Sequence, residues 1–298
     1  MFLRLVLVAT LALAGCGLVD APGTPLLEAH SAGAGAWPAQ SRSAVLASIR
    51  NRVQALEFDL LLTQDLVPVL SHDPWINEQL CTTADGQPVV GTTYIKDLTL
   101  AELHARFRCG GLRDPNTPTA QLVADTHYTF AELLEAVEEV PEMLVHIDLK
   151  YEPGMTHDVD TFAEVILDQW NRKGLPNRMY ITSSVPEALQ AFERRADVVT
   201  GLSWPRFPPH ASTVPIALGN EVLTMLGIQE VVKAARDAGA DGLALPYQLI
   251  NRQAVEIAKR EGLEVHVWTV NSKEQLEMFC RWPIDSIITD YPERVSCR

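Results

Sequence analysis

Basic charge is scarce in this 298-residue chain: 24 Lys and Arg face 38 Asp and Glu, a formal net charge of −14 at pH 7. A phosphate backbone needs a basic face, so the composition argues against nucleic acid as a partner. It argues equally against loose electrostatic docking on anionic lipid. A membrane-spanning run is also missing near the N-terminus. The apolar stretch from Leu5 to Ala14, behind Arg4, is too short to cross a bilayer and has the length of a signal-peptide core. There is no low-complexity tract, and no repeat beyond a strand–helix rhythm. No Gly-x-Ser-x-Gly elbow is present to carry a nucleophilic serine. Cysteines are few, five in all, and their spacings match no zinc pattern.

The cysteines that are present suit an oxidising compartment. The run Leu13-Ala-Gly-Cys16 looks like the lipobox of bacterial lipoproteins, in which the cysteine is lipidated and becomes the new N-terminus. Residues 1–15 then form a signal peptide and 16–25 a lipidated tether. The expected location is the bacterial cell envelope, with membrane attachment through the N-terminal lipid. A plain secretory peptide is the alternative. The remaining Cys81, Cys109, Cys280 and Cys297 are even in number, and pairing by locality gives Cys81–Cys109 and Cys280–Cys297. Four free buried thiols are the other reading.

From Leu26 onward, short β-rich runs alternate with amphipathic helical stretches. Strands are expected at 26–30, 55–61, 143–149, 178–183, 198–203, 241–245, 264–270 and 285–289, with helices such as 41–54, 158–173, 251–261 and 272–281 between them. Eight such units predict an α/β fold, a (β/α)₈ TIM barrel filling 26–298. Thr99-Leu-Ala-Glu102 and Thr129-Phe-Ala-Glu132 both read as capping boxes. Two stretches break the rhythm: residues 74–128, an insertion after the second strand, and residues 204–227, a long loop after the fifth. Both leave C-terminal strand ends, where barrel enzymes keep their sites.

Candidate chemistry gathers at those same ends. Alternate strand residues point one way, so Glu57 and Asp59 present two carboxylates on one face. His30 precedes that strand and His72 follows its return, while Asp148 and Lys150 come from Val145-His-Ile-Asp-Leu-Lys150. Glu57, Asp59 and Asp148, with no cysteine nearby, favour a hard divalent cation, Ca²⁺ or Mg²⁺, over zinc. Such an ion acts as a Lewis acid on a bound substrate and positions an attacking hydroxyl. Lys150 would neutralise negative charge on a bound substrate. Scattered structural polar groups are the bland alternative for this set, and an ordinary exposed lysine for Lys150. His146 and His266 read as satisfied core histidines one layer deeper. Asp73 would orient His72 or cap a turn, and His104, His127, His157 and His210 carry no signal.

Order and spacing add a resemblance. His30-Ser-Ala-Gly, Pro38-Ala-Gln-Ser41, Glu57-Phe-Asp59, Ser71-His72-Asp73, Asp148-Leu-Lys150, Trp268-Thr-Val-Asn271 and Thr289-Asp-Tyr-Pro292 follow in the order of the glycerophosphodiester phosphodiesterase blocks. The chain resembles that family from about residue 27 to 293. The resemblance implies a barrel with an insertion, and a metal-dependent diesterase acting on glycerophosphodiesters or related lipid-derived phosphodiesters. His30 and His72 would serve as general base and general acid, through a cyclic phosphate that water opens. Trp268 would line the alcohol pocket or pack in the core. Departures are specific: Ser31 stands where the family has Arg, Ala32 where it has Gly, and Ala39 where it has Glu. Arg42 is the nearest replacement for the missing arginine. The Asp-Leu-Lys run and the missing arginine also resemble the sphingomyelinase D-like phospholipases of spider venom, so activity on intact sphingolipids or lysolipids is a second reading. A catalytically lapsed barrel acting as an envelope binding protein is a third.

Overall fold

The computed structural model describes residues 23–204, 225–294 and 297. The expected signal peptide, Cys16, most of the tether and His210 lie outside the described residues. The chain opens with β1 (Leu26–Ala29), α1 (Arg42–Arg50), β2 (Ala55–Leu62) and an antiparallel return, β3 (Pro68–Leu70). The insertion follows, with β4 (Cys81–Thr83), α2 (Leu100–Arg106) and β5 (Phe107–Cys109), before α3 (Phe130–Val137) returns to the barrel. Then come β6 (Leu144–Leu149), α4 (Val159–Lys173), β7 (Met179–Ser183), α5 (Pro186–Glu193) and β8 (Val199–Ser203). The last units are α6 (Met225–Ala238), β9 (Gly242–Pro246), α7 (Arg252–Arg260), β10 (Glu264–Trp268), α8 (Lys273–Phe279) and β11 (Ser286–Thr289).

Eight strands pair in parallel in the order β1-β11-β10-β9-β8-β7-β6-β2, and β1–β2 pairing closes the ring. This is the predicted (β/α)₈ barrel. One boundary is corrected: the loop expected at 204–227 ends sooner, because α6 already begins at Met225.

Local chemistry explains the helix starts. Thr99 and Thr129 each accept from the N–H three residues on, while Glu102 and Glu132 reach back, so both capping boxes form. Ser41, Asp158, Asn251 and Ser272 cap α1, α4, α7 and α8 in the same way. Strand alternation then sorts side chains. Leu56, Phe58 and Leu60 of β2 are fully buried. Phe58 meets Phe130 of α3 with ring centroids 6.2 Å apart. Burying such a ring contributes about 2–3 kcal/mol. The other parity, Ala55, Glu57 and Asp59, faces into the barrel.

The insertion's ribbon is fastened at one end. Cys81 and Cys109 are register partners of β4 and β5 and form a disulfide. Gly110 lets this ribbon lie against the β1–α1 loop, because a Cβ there would stand 2.6 Å from Pro38 Cβ. Cys280 and Cys297 form the second bridge. Among the described residues no helix is long and apolar enough to cross a membrane.

Candidate active site

Register brings the three acids together. Asp59 of β2 is the Cα partner of Asp148 of β6, and Glu57 lies two residues deeper. Oxygens of Glu57, Asp59 and Asp148 fall within 4.8 Å of one another. Lys150 Nζ donates to Asp148 Oδ2 at 2.5 Å and stands 2.9 Å from Asp59 Oδ1. Gln40 holds Asp59 from the other side: its Nε2 donates to Oδ2 at 2.5 Å, and its Oε1 accepts the Asp59 N–H at 3.3 Å. Thr182 Oγ1 donates to Asp148 Oδ1 at 2.9 Å. Asp59 and Asp148 are therefore each aimed by neighbours, the kind of outer support that metal ligands require.

The two imidazoles are tethered by carboxylates. His30 follows β1 directly, and its Nδ1 lies 2.7 Å from Asp290 Oδ1. Asn271 fixes Asp290 in turn, its Nδ2 donating to Oδ2 at 2.5 Å and its Oδ1 accepting the Asp290 N–H at 3.0 Å. The β3 return places His72: the Ser71 N–H donates to the Asp59 carbonyl at 3.2 Å, one residue before it. His72 Nδ1 lies 2.9 Å from Asp73 Oδ1, and Asn77 Nδ2 donates to Asp73 Oδ2 at 2.6 Å. In both histidines Nε2 is left for exchange with a ligand.

The turn after His30 has a backbone that favours glycine. Ser31 (φ 47°) and Ala32 (φ 65°) are both left-handed, a conformation costing L-residues roughly 1–2 kcal/mol each. Two hydrogen bonds offset this: the Ser31 N–H donates to Glu57 Oε2 at 2.8 Å, and Ser48 Oγ donates to the Ala32 carbonyl at 2.8 Å. So position 31 contributes its backbone to the site. Arg42, the expected replacement for the missing arginine, is turned to Tyr128 instead.

Charge is concentrated in this mouth. Burial and the Asp59 carboxylate push Glu57 up to about 7. Burial would raise Asp148 as well, but Lys150 outweighs it and holds the carboxyl low. Lys150 is raised by Asp148 and Asp59 against its own desolvation. For His30, burial favours the neutral ring, yet Asp290, Glu57 and Asp59 together lift it to about 9. Three converging carboxylates with one ammonium leave negative charge uncompensated, and all the donors are oxygens. The residues present fit a hard divalent cation.

One layer below, a second polar group sits in the barrel. Glu28 Oε2 lies 2.6 Å from His146 Nδ1, and its Oε1 lies 2.8 Å from His266 Nδ1. His146 Nε2 is 2.9 Å from Thr182 Oγ1, so Thr182 joins this layer to Asp148. All three side chains are buried. Burial alone would raise Glu28; His146 and His266 hold it far below the carboxylate range instead. Tyr180 stacks on His266 at 4.4 Å between centroids. It fits because residues 201 and 242 are glycines: a Cβ at 242 would stand 2.6 Å from its hydroxyl.

The structure thus brings together His30, Glu57, Asp59, Asp148 and Lys150, with His72 beside Asp59. His146 and His266 are the satisfied core histidines the sequence suggested, and Asp73 orients His72. Trp268 closes β10 rather than lying mid-strand, on the inward parity and half-buried. Sequence reading assigned no role to Asp290, Asn271, Gln40, Thr182 or Glu28. Asp290, Asn271 and Gln40 all fall inside the motif blocks, which was the available signal.

Residues 30–294 match the model of the glycerophosphoryl diester phosphodiesterase family. A glycerophosphodiester phosphodiesterase of Bacillus subtilis is 21% identical over 291 residues, 96% of this chain and 90% of that protein. The one of Caldanaerobacter subterraneus is 24% identical over 271 residues, covering 90% and 95%. Among solved structures, one from Silicibacter pomeroyi superposes with a TM-score of 0.77 at 24% identity, covering 92% of each chain. An Oleispira antarctica phosphodiesterase in complex with the product sn-glycerol-3-phosphate gives 0.69 at 18%, covering 90% and 94%. At these identities the superpositions speak for the fold, and the family match carries the assignment: the chain belongs to the glycerophosphoryl diester phosphodiesterase family.

Proposed function

We propose that this phosphodiester hydrolase cleaves glycerophosphodiesters or closely related lipid-derived phosphodiesters by metal-assisted acid–base chemistry. One observation carries the reading: three carboxylates within 4.8 Å of one another, flanked by two imidazoles that each lean on a carboxylate. Glu57, Asp59 and Asp148 would hold the cation, Ca²⁺ or Mg²⁺ by their all-oxygen chemistry. When bound, the ion supplies Lewis-acid polarisation of the phosphoryl group.

The chain's own groups do the rest. Lys150, shared between Asp148 and Asp59, would offer its ammonium to a phosphate oxygen of the substrate. His30, fixed by Asp290, and His72, fixed by Asp73, exchange protons at Nε2. One accepts from the attacking hydroxyl and the other gives to the departing alcohol oxygen. Trp268 offers an aromatic wall at the mouth.

The test is turnover of a glycerophosphodiester panel by the purified protein after chelation. Activity should vanish, and Ca²⁺ or Mg²⁺ should restore it better than Zn²⁺. Activity that survives exhaustive chelation sinks the reading. We also propose that the protein works as an envelope lipoprotein anchored through Cys16, a reading supported by the lipobox-like run. Cys16→Ser should then release it from the membrane fraction, and unchanged membrane association argues against the anchor.

A further inference from the structure

Two relays of the same make flank the acids. On one side His30 Nδ1 meets Asp290, whose other oxygen accepts from Asn271. On the other, His72 Nδ1 meets Asp73, whose other oxygen accepts from Asn77. The first relay is built at the ends of the barrel strands β1, β10 and β11. The second is not, because Asn77 belongs to the insertion. His72 also has the greater need of support. Its side chain is 58% exposed against 32% for His30, and among the described residues its ring has one hydrogen-bond partner, Asp73. An exposed ring on one tether is only as well aimed as that tether. Asp73 would lose its aim if its carboxylate turned about χ2, and the Asn77 amide opposes that turn. Burial alone would raise Asp73, but the bonds to His72 and from Asn77, with the charge of Lys150, hold it below the ordinary carboxylate range. It therefore stays an acceptor.

The geometry at Asn77 requires an amide. Its Oδ1 accepts the Gln79 N–H at 2.8 Å, which settles the way the amide faces and leaves Nδ2 toward Asp73 Oδ2 at 2.6 Å. An aspartate at 77 would serve the turn equally well, yet it would set a second carboxylate against Asp73. The backbone around Asn77 is fixed too. Its carbonyl accepts the Cys81 N–H at 2.8 Å, and the Ile76 N–H donates to the Thr93 carbonyl at 2.9 Å. Cys81 is bridged in turn to Cys109. A donor pinned at its own amide oxygen, its carbonyl and its flanking backbone is a rigid support for the group it holds.

We infer that Asn77 is a positioning residue for phosphodiester cleavage: through Asp73 it aims His72, so the disulfide-stapled insertion carries part of the acid–base machinery. The inference rests on the diesterase reading of the site and deepens it, by extending the groups that serve the reaction beyond the barrel strands.

The test measures glycerophosphocholine turnover by wild type, Asn77→Asp, Asn77→Ala, His72→Ala and the double variant of His72→Ala with Asn77→Ala. Asn77→Asp keeps the outline and the turn but loses the donor. Asn77→Ala removes the donor without adding charge, and it serves alone if Asn77→Asp fails to fold. Misplacing a reacting group by about 1 Å can cost about 10²-fold. In both Asn77 variants kcat should therefore fall about tenfold or more, with KM within about twofold of wild type, because Asn77 acts through His72 and not on the substrate. In the His72→Ala background Asn77→Ala should cost nothing further, as expected of residues that act as one unit. Wild-type kcat in both Asn77 variants, a loss confined to KM, or additive losses in the double variant overturns the inference and leaves the diesterase reading standing. If the wild type cleaves nothing, the diesterase reading falls, and imidazole nitrogen chemical shifts decide Asn77 alone. The neutral His72 ring should carry its proton on Nδ1 in the wild type and lose that preference in Asn77→Ala. The same tautomer in both overturns the inference.

Discussion

Asp290 is the group whose removal separates charge from shape at His30. In Asp290→Asn the side chain keeps its outline and an oxygen that can accept from His30 Nδ1, but the charge 2.7 Å away is lost. The wild-type His30 stands at about 9 against an ordinary 6.5. At 1.36 kcal/mol for each tenfold change in acidity, that corresponds to about 3.4 kcal/mol favouring the folded imidazolium. About a third of the side chain meets solvent, 32%, so screening cuts this to about 2 kcal/mol. The folded-state pKa is raised, so the contribution is fully present below pH 6.5 and is lost as pH rises through 9. Asp290 is the largest of the groups that raise His30, with Glu57 and Asp59 also contributing, so urea unfolding of the metal-free protein should show Asp290→Asn more destabilised at pH 6 than at pH 10, by at most about 2 kcal/mol. By pH 10 that charge-dependent part should be lost, leaving only the pH-independent cost of setting the new amide N–H₂ against Asn271 Nδ2. A gap of the same size at both pH values would refute the argument, because it would mean that Asp290 acts through packing alone.

Three further outcomes follow from the same geometry. His30→Ala and His72→Ala should each lower turnover about 10²-fold or more, with a double variant far from additive, because the two imidazoles serve one reaction; near-normal turnover in either would contradict the pairing. Thr182→Val removes the hydroxyl that aims Asp148 and should weaken divalent-cation binding about 10–100-fold by titration calorimetry, with the fold retained; unchanged affinity would show that Asp148 needs no such support. Cys81→Ser with Cys109→Ser opens a 28-residue closure and should lower unfolding free energy by about 3–4 kcal/mol, while equal stability with and without reductant in the wild type would show that the bridge contributes nothing.

Much of this architecture could be read from residue pattern because its causes are local. Eight inward–outward alternating runs and two capping boxes depend on neighbours within four residues, and they predicted all eight barrel strands. Glu57, Asp59 and Asp148 were legible for the same reason: period-2 alternation fixes which way a strand residue points, and barrel closure brings the ends together. Asp290 is 260 residues from His30, and no local rule links them. Gln40 reaches Asp59 only because its backbone is left-handed, φ 61°, an uncommon state for a non-glycine. Arg42 could not be aimed from sequence because a helix start leaves side-chain direction open; it interacts with Tyr128.

The placement of charge along the barrel axis shows why the site can be both crowded and ordered. At the bottom, Ala55, Leu144 and Tyr180 form a small apolar plug. Above it, Glu28 is held between His146 and His266, a buried charge with a partner on each oxygen. Buried charges persist where they are paired, and breaking one partner away is far worse than never burying the set. Above that layer, Glu57 and Asp59 are themselves almost wholly buried. Their counter-charges come from Lys150 within the mouth and from His30 at its rim. Thr182 joins the two layers by touching His146 below and Asp148 above. The lower layer therefore acts as a fixed floor: it cannot move without breaking a Glu28 ion pair. Only one of the three candidate ligands, Asp148, is tied to that floor. Glu57 and Asp59 take their aim from the β1–α1 loop through the Ser31 backbone and Gln40. Cation binding should thus be governed by a rigid half, β6 and β7, and a loop-borne half that also carries His30.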